Sequence, residues 1–405
     1  GGRAAEGAVS EWGGWGNREA TLKALKWMFD KEAPLLFRPQ LDWDQWRWGL
    51  QFLAQCNDTA FERNVQQIVA LGAYSHAALK DLVASTGIEY NRLERGIAHF
   101  YTDQKSFDAA GHAVELMRKF GVQRRLVSRD ELLKIEPAFK AYGDKITGGT
   151  YTSTDESGDA RVFTQELARR CAARGAQFLY GHDVLRLNKI GDAIDSVAVI
   201  ARNTGAGGQK DFILKGDAFV VACGSYSAPL LRTVGVDLPI YPGKGYSATF
   251  PLLKPEGAPM VSTIDDGKKI AMSRLGNVLR VAGTIELGGF DMSLDSPVAR
   301  ARCHMLSRRI AEILPGVCDT RTPEEGGNPQ YWTGLRPATP TNIPFIGQTR
   351  VGKLWVNAGH GTLGWTHGAG SGKAMAELLS GEVPAMNFGF LGVQAPRAVR
   401  GAVAA

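Results

Sequence analysis

Lys353-Leu354-Trp355-Val356-Asn357 reads as a strand, Gly359-His360-Gly361-Thr362-Leu363-Gly364 as a glycine turn, and the stretch through Ala374, Ala376, Leu378 and Leu379 as a helix. That order opens a βα unit. Its glycines let the backbone turn tightly and approach a ligand, and the free N–H groups and dipole at the helix start favour negative charge there. A dinucleotide fold also needs a second parallel strand ending in an acidic residue about 20 positions later. Here Gly381 and Pro384 follow instead, so a turn that merely packs is the competing reading. Gly368-Ala369-Gly370-Ser371-Gly372 has the small-residue spacing of close helix packing.

Upstream the hydrophobic period changes along the chain. Residues 1 to about 20 are Gly-rich and aperiodic, with Trp12 and Trp15, and read as loop. Helical spacing follows at Leu22, Leu25 and Phe29, at Phe61, Val65, Ile68 and Val69, and at Leu79, Leu82 and Val83, with Gly87 as a stop. Ser128 and Glu131 form a capping box before Pro137. From about residue 146 strands and turns take over: a helix near 164–174 closed by Gly175, then Val184–Leu187, Ser196–Val199 and Phe219–Ala222. Residues 240–290 predict an antiparallel sheet with a turn at Leu275-Gly276-Asn277, and Ser296-Pro297 opens a helix that ends by Pro315-Gly316.

Composition removes several classes of function. Of 405 residues 44% are apolar and 22% charged, a globular profile. Lys and Arg exceed Asp and Glu by 47 to 41, and the basic residues are scattered, so the concentrated basic face of a nucleic-acid binder is missing. No apolar run approaches the roughly 18 residues of a membrane-spanning helix. Five dispersed cysteines without a C-x-x-C pair argue against a disulfide framework or a zinc site, and fit a reducing, cytoplasmic setting.

Three further positions invite chemistry. Arg336, in Tyr331-Trp332-Thr333-Gly334-Leu335-Arg336-Pro337, lies between an expected strand and a proline turn; its guanidinium can clamp a carboxylate with two parallel hydrogen bonds, although a loop arginine is commonly just solvated. Tyr246 follows Gly243-Lys244-Gly245 and either closes a pocket wall or sits half-buried at a rim. His360 titrates near neutrality in free form, yet between two glycines it equally well serves the turn.

Val220-Val221-Ala222-Cys223-Gly224-Ser225-Tyr226-Ser227, Pro242–Ser247, Trp332–Pro337 and Asn357–Trp365 together resemble the FAD-dependent D-amino-acid oxidase and glycine oxidase group, and within it the bacterial D-amino-acid dehydrogenase small subunits. Thr164-Gln165-Glu166-Leu167-Ala168 and Lys23–Phe29 extend the likeness to nearly everything after residue 20. Members of that group begin with a strand, a glycine turn and a helix that hold the FAD pyrophosphate. This chain starts past that unit and without Met, so a truncated fragment or an incomplete gene is expected. Thr341 stands where relatives often carry Asp.

The resemblance implies a mixed α/β fold: a Rossmann-like FAD-binding part from residues 146–235 and 331–385, lacking its N-terminal unit, and a substrate part of helices and antiparallel sheet from 21–145 and 236–330, with 1–20 irregular and 386–405 a tail. It implies non-covalent FAD, since no Cys occurs in 319–405. The FAD contacts it implies are Val184, Ala222, Cys223, Gly224, Gly359, His360, Gly361, Thr362, Leu363 and Gly364. Arg336 would hold the carboxylate of a D-amino acid and Tyr246 would cover it, with no side-chain base required. Electrons would pass to a quinone or other carrier. Glycine, sarcosine or proline-type amines on the same scaffold, or a remnant that binds no FAD, are the alternatives. Trp27, Trp43, Trp46 and Trp48 among basic residues suit either core packing or peripheral contact with a lipid headgroup layer on the inner face of the plasma membrane.

Overall fold

The computed structural model of the chain describes the backbone of residues 5–7 together with residues 34–202 and 211–393. Most of its strands join one nine-stranded sheet. The order is Gln330–Ala338, Tyr241–Pro251, Val278–Leu287, Ile270–Leu275, Ser262–Asp265, Ile97–Tyr101, Gly148–Thr152 and Arg124–Ser128, with Leu35–Phe37 joining alongside Val278–Leu287. Neighbours run antiparallel except for two parallel pairs, Ser262–Asp265 with Ile97–Tyr101 and Val278–Leu287 with Leu35–Phe37.

Side-chain alternation gives this sheet two different faces. Along Tyr241–Pro251, Tyr246, Ala248 and Phe250 point into the main core, while Gly243, Gly245 and Ser247 point the other way. The core face is covered by the Pro297–Ile313 helix, whose Ala299, Cys303, Leu306, Ile310 and Ile313 recur every three or four residues and are all buried. The expected start is there: Ser296 accepts a hydrogen bond from the Ala299 N–H and Pro297 occupies the first turn.

The second layer is built on a small sheet. Phe219–Val221 and Leu354–Ala358 run parallel, with Phe345–Gln348 antiparallel at the far side. A meander of His182–Ile190, Ala193–Ala201 and Phe212–Lys215 packs against it through Leu187 and Ile194. The two helical stretches expected around Phe61 and Leu79 are one helix, Asp58–Thr86, capped by Asn57 and ended by Gly87 at φ +62°. It packs against the C-terminal Gly364–Leu379 helix, where the Gly370 N–H donates to Ser75 Oγ at 2.9 Å.

Several expectations change. The expected divisions at 145 and 330 do not follow the sheets: Gly148–Thr152 and Gln330–Ala338 both belong to the nine-stranded sheet, and the Asp58–Thr86 helix packs against the C-terminal Gly364–Leu379 helix. The capping box is half present, since Ser128 accepts from the Glu131 N–H but the Glu131 carboxylate pairs with Arg125. Trp48 is core, with its indole N–H on the Ala338 carbonyl, whereas Trp43 is exposed. Ala5–Gly7 is a strand antiparallel to Glu156–Gly158, where loop was expected. Trp12, Trp15, the helical stretch expected at Leu22–Phe29 with Trp27, and the tail beyond 393 lie outside the described residues.

Candidate active site

Arg336 is a strand residue, not a loop one. It occupies the Gln330–Ala338 strand, which is last in the sheet order and so tolerates Pro337. Its Cα partner is Gly243, which puts its side chain on the face opposite the main core. There the guanidinium lies across Gly245, where a Cβ would collide with it, and Nη1 donates to the Thr284 carbonyl at 2.7 Å. Gly245 is glycine because an arginine head fills the space a side chain would need.

Thr284 is the extra residue of a β-bulge. Gly245 pairs with Ile285 and Tyr246 with Gly283, leaving Thr284 between them at φ +59°. The bulge turns Glu286 to the core side, where Arg38 donates to its carboxylate at 2.8 Å and the Tyr246 hydroxyl at 2.5 Å. Tyr246 lines the cleft at this point of the strand, but its hydroxyl is not turned toward it. Its ring is packed in the main core, burial and the Glu286 carboxylate push its phenol pKa far up, and its hydroxyl is committed to that carboxylate.

The face that carries Arg336 floors a cleft of about 1080 Å³. Small residues, Gly245, Ser247, Ala271, Ala282 and Gly334, keep much of the floor flat. Its walls include Trp46, Leu50, Leu53 and Phe163, and Gly361, Thr362, Gly364 and Trp365 of the glycine turn and following helix line the same space. The expected convergence of Arg336 and this turn on one cavity is what the fold provides.

The turn follows from strand geometry. Phe219–Val221 and Leu354–Ala358 are paired in parallel, Val221 opposite Val356, so Ala222-Cys223-Gly224 and Gly359–Gly364 leave the same edge of the small sheet. In open α/β sheets, ligands bind beyond the carboxyl ends of such strands. Gly224, Gly359 and Gly361 have φ of +57°, +90° and +54°. At Gly359 a Cβ would also stand 2.7 Å from Thr339 Cγ2. Ser225 ties the first turn to the arginine strand through a 3.4 Å bond to the Leu335 carbonyl. Ala222 and Cys223 are exposed at this edge and Val184 is exposed on the meander, and none of the three lines the Arg336 cleft.

His360 links turn to helix. The Ser371 hydroxyl donates to the Gly368 carbonyl at 3.2 Å, so its oxygen accepts from His360 Nε2–H at 3.1 Å. Burial lowers the His360 pKa to about 4, leaving a neutral ring that braces the turn. Two other buried histidines behave alike: burial, with nearby Arg124, holds His99 at about 3, and burial, with His360, holds His367 at about 3. All three bind a proton less readily folded than unfolded, where histidine titrates near about 6.5. Acid therefore favours the unfolded chain, and stability is full above that value and lost as pH falls toward about 4 and 3. The melting temperature should fall between about pH 7 and pH 5, and His367→Phe should flatten that slope; an unchanged slope would remove burial as its cause.

The described residues hold no cluster of His, Cys, Asp and Glu suited to a metal, and none of their helices is long and apolar enough to cross a membrane. Sequence reading passed over Thr284 and Glu286, and saw in Gly245 only part of a Gly-x-Gly stretch. Their roles depend on a one-residue bulge that leaves no mark in residue type.

Known proteins resemble this arrangement at two levels. D-amino acid dehydrogenase of Dechloromonas aromatica is 45% identical over 377 residues, covering 93% of this chain and 87% of that protein. D-amino acid dehydrogenase of Paramagnetospirillum magneticum is 40% identical over 381 residues, covering 94% and 85%. Among solved structures, glycine oxidase from Geobacillus kaustophilus superposes with a TM-score of 0.66 at 23% identity, over 79% of this chain and 81% of that one. L-proline dehydrogenase from P. horikoshii gives 0.65 at 18%, again over 79% and 81%. These two speak to the fold. The family described as FAD dependent oxidoreductase matches residues 20–378, and with the identities above this establishes that the chain belongs to the DAO family of FAD-dependent oxidoreductases.

Proposed function

We propose that this chain oxidises D-amino acids such as D-alanine to 2-oxo acids and ammonia, passing the electrons to a quinone or other carrier. The observation that carries the reading is the single cleft shared by the Arg336 guanidinium and the Gly359–Gly364 turn. It is supported by relatives named for that activity at 38–45% identity.

The residues present fit FAD. The cleft slightly exceeds the roughly 300–1,000 Å³ typical of small-molecule sites, enough for a flat ring and a small acid together. The Gly359–Gly364 turn would hold the ring from one side, and Ala222-Cys223-Gly224 would pass near the cofactor at the shared sheet edge. Bound there, FAD supplies a two-electron acceptor for the hydrogen leaving the substrate Cα. The chain's own work is positioning. Arg336 binds the carboxylate and fixes which way the Cα hydrogen faces, and Trp46, Leu50 and Leu53 give the wall an apolar lining. No imidazole is needed as base when the amine enters neutral, in keeping with His360 being tied to Ser371.

The same reading places the protein on the cytoplasmic side, touching lipid. Trp43, Trp46, Leu50 and Leu53 form an exposed stripe at helical spacing on the Trp43–Ala54 helix, beside exposed Leu41, and Trp46, Leu50 and Leu53 of it also line the cleft. Five cysteines without a disulfide suit a reducing compartment.

The test is direct. Purified protein given excess FAD should show a bound-flavin spectrum and turn over D-alanine with a quinone analogue, faster with anionic vesicles present. Preference for glycine or sarcosine would move the assignment to that substrate class, and failure to retain flavin would end it.

A further inference from the structure

Thr284 combines three observations that register alone does not explain. It is a β-branched residue at φ +59°, a conformation that crowds Cβ against the backbone and is ordinarily left to glycine or asparagine. Its carbonyl, turned out of the ladder by the bulge, accepts the 2.7 Å bond from Arg336 Nη1. Its hydroxyl oxygen is buried in a residue that lines the cleft, yet has no hydrogen-bond partner.

A bulge kept only to turn Glu286 inward would be served better by glycine, which carries no penalty at that φ. A strained threonine with an unsatisfied hydroxyl has two unfavourable features at one position, and such features concentrate where a ligand relieves them. Covalent geometry keeps the hydroxyl within a few ångströms of the carbonyl that holds the guanidinium.

We propose that Thr284 completes the carboxylate site. Its carbonyl positions Arg336 and its hydroxyl donates a hydrogen bond to the substrate carboxylate beside the guanidinium. This rests on the assignment of Arg336 as the carboxylate clamp. The bond is charge-assisted and made in ground and transition states alike, so its loss should appear in affinity before rate.

The test uses FAD-loaded protein with Thr284→Val, Thr284→Gly and Thr284→Ser. Propionate binding is measured by calorimetry, and KM and kcat with D-alanine. Val and Gly should weaken propionate binding and raise KM by about tenfold with kcat within about twofold, and Ser should restore both. Gly should also raise the melting temperature, because it relieves the backbone while keeping the carbonyl. Should Val not fold, the Gly and Ser pair decides. A Gly variant that binds propionate as tightly as the parent overturns the role of the hydroxyl. If the parent itself fails to bind propionate, the assignment of Arg336 falls first and this inference with it.

Discussion

Arg336→Lys is expected to lower kcat/KM for D-alanine by about 10²- to 10³-fold, corresponding to about 3–4 kcal/mol of lost transition-state binding, while flavin bound per protein stays unchanged. The guanidinium has two tasks here. One nitrogen donates to the Thr284 carbonyl and so fixes the plane of the group over Gly245, and a guanidinium held in one plane is the geometry that meets a carboxylate with parallel bonds. A lysine ammonium has no plane to fix. Anchored on Thr284 it presents no fork, and freed from Thr284 it leaves an unfilled hollow above Gly245. A substrate held by a single point of charge can swing, and small misplacement of the reacting carbon is expensive in rate. Flavin content should not follow, because the glycine turn and the Ala222-Cys223-Gly224 turn are held by the small sheet and not by this side chain. Steady-state kinetics beside the flavin absorbance per protein checks both halves. Turnover near that of the parent would take Arg336 out of the site.

The contrast between Arg336 and Thr284 shows which kinds of site residue can be read from sequence. Arg336 was visible because a lone arginine in an aromatic and glycine context carries its chemistry in its own name. The glycine turns were visible because positive φ selects glycine at Gly224, Gly359 and Gly361. Tyr246 lines the cleft yet turns its hydroxyl to Glu286 in the core, for a geometric reason. Its neighbours Gly245 and Ser247 face the cleft, and a tyrosine one position along a strand faces the opposite side. Which side is which depends on pairing across three strands, and the bulge at Thr284 changes that parity within Val278–Leu287 itself. Local periodicity therefore found the elements, as with Ser296–Ile313 and the stop at Gly87, but not the division of the chain between layers. Gly148–Thr152 and Gln330–Ala338 reach the large sheet by long-range pairing, with Ile97–Tyr101 and Tyr241–Pro251 respectively.

Gly370→Ala and Gly372→Ala should change stability in opposite directions, although both replace a helical glycine two residues apart. The small-residue run Gly368–Gly372 suggested close packing in general, and the structure assigns it to Gly370. A Cβ there would lie 2.6 Å from Ser75 Cα and Cβ and 2.8 Å from Ser75 N, so the obstacle is the backbone of the Asp58–Thr86 helix and no rotamer change can relieve it. Gly372 has nothing within 4 Å. Alanine at 370 must push two helices apart or bend one, with an expected loss of about 1–3 kcal/mol. Alanine at 372 gains helix propensity of up to about 1 kcal/mol against glycine. The first substitution should also reach the cofactor. Ser371, its neighbour, carries the hydrogen bond to His360, and His360 braces the turn that lines the cleft, so displacement of the helix start moves the amides meant for the flavin ring. Melting temperatures of both variants, with and without excess FAD, separate these effects. Gly370→Ala should melt lower and show a smaller FAD-induced rise than the parent, whereas Gly372→Ala should melt higher with the full rise. Equal shifts in the two variants would mean that the helices do not meet at Gly370 in solution, and would detach the C-terminal helix from the role of supporting the turn.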